Sequence, residues 1–324
     1  LNTTMNLDLL LENLTNPALL YFILGIIAVY LKSDLEIPQN SSKFISLYLL
    51  FAIGFKGGQE LSHENITNEI IWSMLFGISI SIIIPLYTFF ILRRKLSVFD
   101  SGAIAAAYGS ISAVTFVTAA SYLESHQLEL HGNMVAIMAL MESPAIIVGL
   151  VLISLFHKEK TNPISKRFIL KHSFTNGSVL LILGSLIIGY LTSAKEAQGI
   201  EPFTNDLFKG FLAIFLLDMG ITSGKKLKSF FAHGWFPFVF AAIIPLFNGC
   251  LFALVSGWVT SDVANRFIFA ILAASASYIA VPAAMKNTVP KANPGLFLPM
   301  ALAITFPVNI TVGMPLYFYI VQTF

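Results

Sequence analysis

Apolar runs of roughly 18 to 25 residues follow one another along this chain, each long enough to carry a helix across about 30 Å of hydrocarbon. Ten can be laid out: Pro17 to Leu31, Phe44 to Gly58, Ile70 to Leu92, Ser101 to Leu123, Met134 to Phe156, Ser178 to Thr192, Leu207 to Ser223, Trp235 to Val259, Phe267 to Met285 and Leu296 to Val321. The first, second, sixth and seventh are short as written and are expected to extend a few residues each way. No soluble core accommodates this pattern: of 324 residues, 56% are hydrophobic and only 11% charged, with a mean hydropathy of +0.79. The expectation is an all-α polytopic membrane protein of ten transmembrane helices. A net charge of +2 without a basic, aromatic-interleaved patch excludes a nucleic-acid partner. The single cysteine, Cys250, excludes an intramolecular disulfide and a multi-cysteine metal site. The sequence begins at Leu1, so its natural start is expected upstream.

Most of the 19 lysines and arginines fall in the turns after the odd-numbered runs, as Lys32 and Lys43, Arg93 to Lys95, Lys158 to Lys171, Lys225 to Lys228, and Lys286 and Lys291. The positive-inside rule then puts both termini outside and makes 157–173 the main cytoplasmic connection. Cutting there leaves two halves, 1–156 and 174–324, that echo each other in order. Gly25 with Tyr30 and Leu31 returns as Gly184 with Tyr190 and Leu191. Gly54 and Gly58 return as Gly220 and Gly224, and Ile83-Ile84-Pro85-Leu86-Tyr87 as Ile243-Ile244-Pro245-Leu246-Phe247. Ser110-Ile111-Ser112 returns as Ser275-Ala276-Ser277, and Pro144 as Pro307. Five spans per half is an odd number, so the second repeat is expected to be inverted, an arrangement typical of transporters with a site near the midplane.

The ninth run, AILAASASYIAVPAAMKN from Ala270 to Asn287, carries Pro282 inside an apolar helix. A proline removes a donor and clashes with the preceding turn, so two half-helices are expected around an unwound segment near Tyr278 to Val281, with Pro282 opening the second. The fourth span, its counterpart, is expected to break as well. Half-helix N-termini present unpaired N–H groups and partial positive charge, which suits a small oxyanion. Ser110, Ser112, Thr115, Ser275, Ser277, Tyr278 and Ile279 are therefore the candidate substrate-binding residues, while Thr118 and Ser121 are read as hydroxyls bonding back to their own helix.

Ionisable groups within the runs are few: Lys56, Glu142 and Asp218. A carboxylate at membrane depth faces a cavity, a cation or a partner. Asp218 with Thr222 one turn on, Glu142 beside a break at Pro144, and Thr305 and Asn309 in the tenth run are the candidate sodium ligands; pairing of Asp218 with Lys56 is the structural alternative. Asp100 and Asp262, each just ahead of a broken span, read as helix-start or interface groups. Glu124, His126, Glu129 and His131 cluster in sequence on the outer side, where a solvated loop is expected rather than a metal site. With no histidine beside an intramembrane serine, and no Walker A, Rossmann or HExxH motif, neither an enzyme nor an ATP-driven pump is expected, and no cofactor beyond a coupling ion.

These residues resemble the sodium-dependent bicarbonate transporters best known from cyanobacterial carbon-concentrating systems. The resemblance covers most of the chain through Ile37-Pro38, Ile53-Gly54 with Gly57-Gly58, Tyr108-Gly109 with Ser112 and Thr115, and Met141 with Pro144-Ala145. Its most specific parts are AASASYIAVP, Ala273 to Pro282, and PKANP, Pro290 to Pro294. It implies ten spans in two inverted repeats, a homotrimer in a bacterial plasma membrane, sodium-coupled uptake of bicarbonate and a PII-like cytoplasmic regulator. The family has an acid where this chain has Tyr278, a serine at Val114 and an acid at Thr222, so Asp218 is expected to take over the cation role. The connection at 157–173 lacks the long polar insert that would receive such a regulator. Two other activities fit the same residues: a cation/proton exchanger using Asp218 and Glu142, and a non-transporting anion sensor.

Overall fold

A computed structural model describes residues 17–63, 67–157, 177–230, 234–278 and 280–324. The connection at 157–173 falls, apart from His157, outside these residues. Among them there are helices and no strands: α1 (Pro17–Tyr30), α2 (Gln39–His63), α3 (Asn68–Leu92), α4 (Val98–Gly109), α5 (Ala113–Ser125), α6 (Gly132–Phe156), α7 (Gly177–Leu191), α8 (Phe208–Phe230), α9 (Trp235–Val255), α10 (Val263–Ala274), α11 (Ala280–Thr288) and α12 (Pro294–Thr323). Six of the helical segments are long and apolar enough to cross a bilayer, at Asn68–Leu92, Val98–Ser125, Gly132–Phe156, Pro202–Lys226, Trp235–Trp258 and Pro294–Thr323. The expected spans outside this set have physical reasons to fall short. The helix α2 has 25 residues but carries Lys43, Lys56 and Glu60, and α10 has only 12 because the chain unwinds after Ala274. The surface reverses that of a soluble protein. Trp72, Trp235 and Trp258 are all exposed near helix ends, with Ile83, Phe90, Ile243 and Phe247 exposed between them, as lipid contact with an interfacial aromatic belt requires. The chain is an integral membrane protein.

The helices sort into two groups. The first pairs α1 with α8 and α2 with α7; the second packs α3 with α4 and α6, and α9 with α10 and α12. Glycines set the closeness of the first group. A methyl group at Gly220 would overlap the Phe22 carbonyl, and one at Gly25 the Leu217 carbonyl; Gly58 and Gly189 lie in the same way against the Leu186 and Phe55 carbonyls. Without driving force from lipid exclusion, such backbone contact is what holds membrane helices together. Gly184, the sequence echo of Gly25, meets nothing within 4 Å, and Gly189 makes the contact instead.

Prolines shape the second group. Pro245 in α9 cannot donate to the Ala241 carbonyl, and Thr305 Oγ1 of α12 does so instead at 2.8 Å. Pro85 in α3 leaves room against which Gly109, the last residue of α4, closes without a side chain. Pro144 makes no break: α6 runs through it, losing one internal bond, because the turns on either side are buried through Met141, Glu142, Ala145 and Ile146. The two aspartates ahead of the interrupted spans do both expected jobs. Asp100, in the first turn of α4, accepts from the Asn293 amide at 2.8 Å across to the start of α12, and Asp262 caps α10 through the Asn265 amide at 2.7 Å.

Gly220→Val should force α1 off α8 and cost about 1–3 kcal/mol of stability, whereas Gly184→Ala should leave the melting temperature in detergent unchanged or raised. Equal effects would remove close backbone contact as the cause. A second prediction concerns Asp262, whose carboxylate lies 3.6 Å from the His131 ring. Burial pushes its carboxyl up, but hydrogen bonds from His131 and the Asn265 amide, with the His131 charge, hold it below its ordinary value. A lowered folded pKa gives stability that is present above the unfolded value and lost as pH falls through the folded one. The group is half-exposed, so the charge contribution is screened and small. Melting curves of Asp262→Ala should show a pH-independent loss of about 1 kcal/mol from the missing cap, with less acid sensitivity than the parent below the usual carboxylate range. Identical acid limbs would remove Asp262 from the account.

Candidate functional site

The two SxS repeats are where helices stop. The α4 helix ends at Gly109 with Ser110 as its C-cap, and α5 begins at Ala113 with Ser112 as its N-cap, the Ser112 hydroxyl accepting the Thr115 amide at 3.2 Å. The α10 helix ends at Ala274 with Ser275 extended behind it, and the Ser277 hydroxyl accepts the Val281 amide of α11 at 3.4 Å. Serine is a poor interior helix residue and a strong cap, so the first serine of each repeat ends one half-helix and the second serves the start of the next. Among the described residues the second interruption takes in 275–278, a few residues ahead of the expected Tyr278 to Val281. Pro282 clashes with the carbonyl four residues before it, so the helix is lost upstream of the proline, which sits inside the first turn of α11.

The interruptions cross and pair. The Ser277 amide donates to the Ala107 carbonyl at 2.8 Å, and the Ser112 amide to the Ser275 hydroxyl at 3.1 Å, which in turn donates to Leu272 at 3.2 Å. Asn309, fully buried on α12, donates to the Ala274 carbonyl at 2.7 Å and so covers the open end of α10, its other side held by the Tyr317 hydroxyl at 3.0 Å. Thr305 bonds Ala241 and the Tyr108 hydroxyl, the latter at 2.7 Å. The residues that bracket it and Asn309 lie in π-helical turns of α12, Met300–Thr305 and Asn309–Gly313.

Beside this crossing is a small cavity, of about 30 Å³. It is lined by Ile111, Ser112 and Ala113 at the start of α5, by Ser277 and Tyr278 just ahead of α11, and by Met138, Ala139 and Glu142 of α6, with Leu50 and Ile182 closing it from α2 and α7. The starts of α5 and α11, positive by their helix dipoles and capped in part by Ser112 and Ser277, lie on the side of this cavity, which also holds one buried carboxylate, Glu142. Partial positive charge for an anion and a carboxylate for a cation thus stand within one space.

A second cavity, of about 660 Å³, opens on the lysine-bearing end of the first group. It contains Asp218 and Thr222 with Ser42, Lys43, Lys225 and Lys226. Ser42 donates its hydroxyl to the Asp218 carboxylate. Lys56 lines a third cavity, of about 330 Å³, at the other end of α2 with Glu60, Glu124 and Glu129, so Asp218 and Lys56 do not pair. In that region Glu124 meets Lys209 at 3.3 Å, His126 stacks on Tyr122, and His131 faces Asp262, which gives these loop residues separate partners.

Of the candidate anion residues, Ser112, Ser277 and Tyr278 line the small cavity, while Ser275 bridges the two interruptions and Ser110 and Thr115 are buried beside them. Ile279 lies outside the described residues. Of the candidate cation residues, Glu142 lines the small cavity, Asp218 and Thr222 share the large one, and Thr305 and Asn309 bond to carbonyls. The expected back-bond of Thr118 is present, to the Val114 carbonyl at 2.8 Å. Sequence reading missed Met138 and Ala139, although they stand one turn before Glu142 on the same helix face. Leu50 and Ile182 carry no sequence signal; only packing puts them there.

No match was found among curated proteins. The family model of the Na+-dependent bicarbonate transporter superfamily matches residues 17–322, which takes in both interruptions, both helix groups and all three cavities. The chain belongs to the Na+-dependent bicarbonate transporter superfamily.

Proposed function

We propose that this chain is a symporter, coupling sodium entry to uptake of bicarbonate or a similarly small monovalent oxyanion. The observation that carries the reading is that the start of α5, the segment just ahead of α11, Ser112, Ser277 and Glu142 all line one small cavity. The anion is held by the first amides of α5 and α11 and by the two hydroxyls; sodium, beside Glu142, cancels the charge that would otherwise set carboxylate against anion. Neither ion is well placed without the other, which is the energetic basis of coupling. Asp218, with Ser42 and Thr222, serves as a waiting site for the cation on its way out.

The echoing halves support ten spans in two inverted repeats: each pair of the first helix group takes one helix from either half, and each half contributes one interruption. The lysines around the large cavity support a cytoplasmic location for it, with both termini outside and the protein in a plasma membrane. A homotrimer is the assembly that the resemblance implies.

In proteoliposomes, labelled bicarbonate should enter only with an inward sodium gradient. Glu142→Gln should raise the sodium concentration needed for half-maximal uptake by about tenfold or more, equivalent to about 1.4 kcal/mol. Asn309→Ala should instead lower the melting temperature, since an orphaned carbonyl costs about 1–3 kcal/mol, and leave the sodium dependence of the folded protein unchanged. Proton-coupled sodium flux without movement of carbon would make the protein an exchanger, and tight bicarbonate binding without flux a sensor; either overturns the reading.

A further inference from the structure

Among the described residues that line the small cavity and those that line the lysine-bearing one, Tyr278 is the only residue common to both sets. Its ring therefore stands between a space of about 30 Å³ and one of about 660 Å³. We propose that the Tyr278 ring is the partition between the ion cavity and the lysine-lined vestibule, a movable wall that limits what passes between them by size.

Three observations carry this. Tyr278 belongs to the non-helical segment ahead of α11, so no helical ladder fixes its backbone. Its hydroxyl is buried with Ser112 beside it, but not aligned for a well-formed hydrogen bond, although a buried phenol ordinarily makes one. The ring is thus held chiefly by packing against apolar neighbours, and its hydroxyl, only loosely engaged by Ser112, can turn to an ion in the small cavity. On either side stand a carboxylate, Glu142, and a mixed cluster of Asp218, Lys225 and Lys226, while the wall itself is neutral. An anion crossing it moves toward lysines and a cation toward Asp218, so the barrier to passage is steric rather than electrostatic. Replacing the ring with a small side chain would join the two spaces.

The inference rests on the small cavity being the ion site, but its test does not require transport. In a Cys250→Ala background, a cysteine is introduced by Ala113→Cys in the small cavity or by Ser46→Cys in the vestibule. Purified protein is exposed to silver ion, and free thiols are then counted by alkylation after denaturation. Ser46→Cys should react rapidly whatever stands at 278, and a cooperative melting transition at the parent temperature reports that each variant is folded. Ala113→Cys should react slowly with Tyr278 or with Tyr278→Phe, and about tenfold faster or more with Tyr278→Ala, since a passage wide enough for one water is then open. The proposal is overturned if Ala113→Cys reacts equally fast with tyrosine and alanine at 278. It is also overturned if Tyr278→Phe alone opens the cavity, because the hydroxyl and not the ring would then be the barrier. Should Tyr278→Ala lose the parent melting transition, Tyr278→Leu, intermediate in bulk, replaces it with the same two readings. Loss of bicarbonate uptake with normal thiol protection would count against the transport reading and leave the partition standing.

Discussion

A helix interrupted at membrane depth must find partners for the backbone groups it uncovers, because hydrocarbon supplies none. This chain meets the requirement by crossing its two interruptions. Ser277 donates to Ala107, Ser112 to Ser275, and Asn309 covers the Ala274 carbonyl, so the C-terminal ends of the two upstream half-helices are served from within the crossing. The N-terminal ends of α5 and α11 are served only in part, by the Ser112 and Ser277 hydroxyls on their own first turns. The start of α5 and the segment just ahead of α11 line the cavity that holds Glu142, an arrangement that suits an anion and a cation together.

The rest of the fold keeps that crossing in register. Thr305 repairs the carbonyl that Pro245 abandons and at the same time holds the Tyr108 hydroxyl, tying α12 to α9 and α4 in one contact. Gly109 lets α4 end against the proline of α3, so the first interruption begins where α4 meets Pro85. The glycine-mediated pairs of the other group, α1 with α8 and α2 with α7, form a separate wall, which supplies Leu50 and Ile182 to the cavity and most of the vestibule. Two internally tight groups that meet along water-accessible spaces are suited to move against each other.

How much of this was legible in the sequence depended on the range of the cause. The SxS repeats were visible as interruptions because serine capping and proline clash are local, and even the few-residue offset of the second follows from where the Pro282 ring points. The ends of α4 and α10 are covered across the fold, so nothing in the sequence marked Asn309 as a cap; an amide near a proline looked equally like a cation ligand. Pro144 shows the limit of the local rule, since burial on both sides carries α6 straight through it. Gly184 fails for a related reason: it repeats the residue of Gly25 without repeating the neighbour that makes Gly25 matter. Asp218 and Glu142 were singled out together as costly carboxylates, yet only tertiary structure separates them into two cavities with one tyrosine between.

The central claim is that paired interruptions hold an oxyanion on bare helix ends with sodium at Glu142. A density map of the protein in lipid, recorded with sodium and bicarbonate and again with both replaced, tests it most directly. The account predicts a flat three-lobed feature between the first turns of α5 and α11, with a spherical one at Glu142, both vanishing on replacement. An empty crossing in both maps, with bicarbonate bound among the vestibule lysines or nowhere, would contradict it.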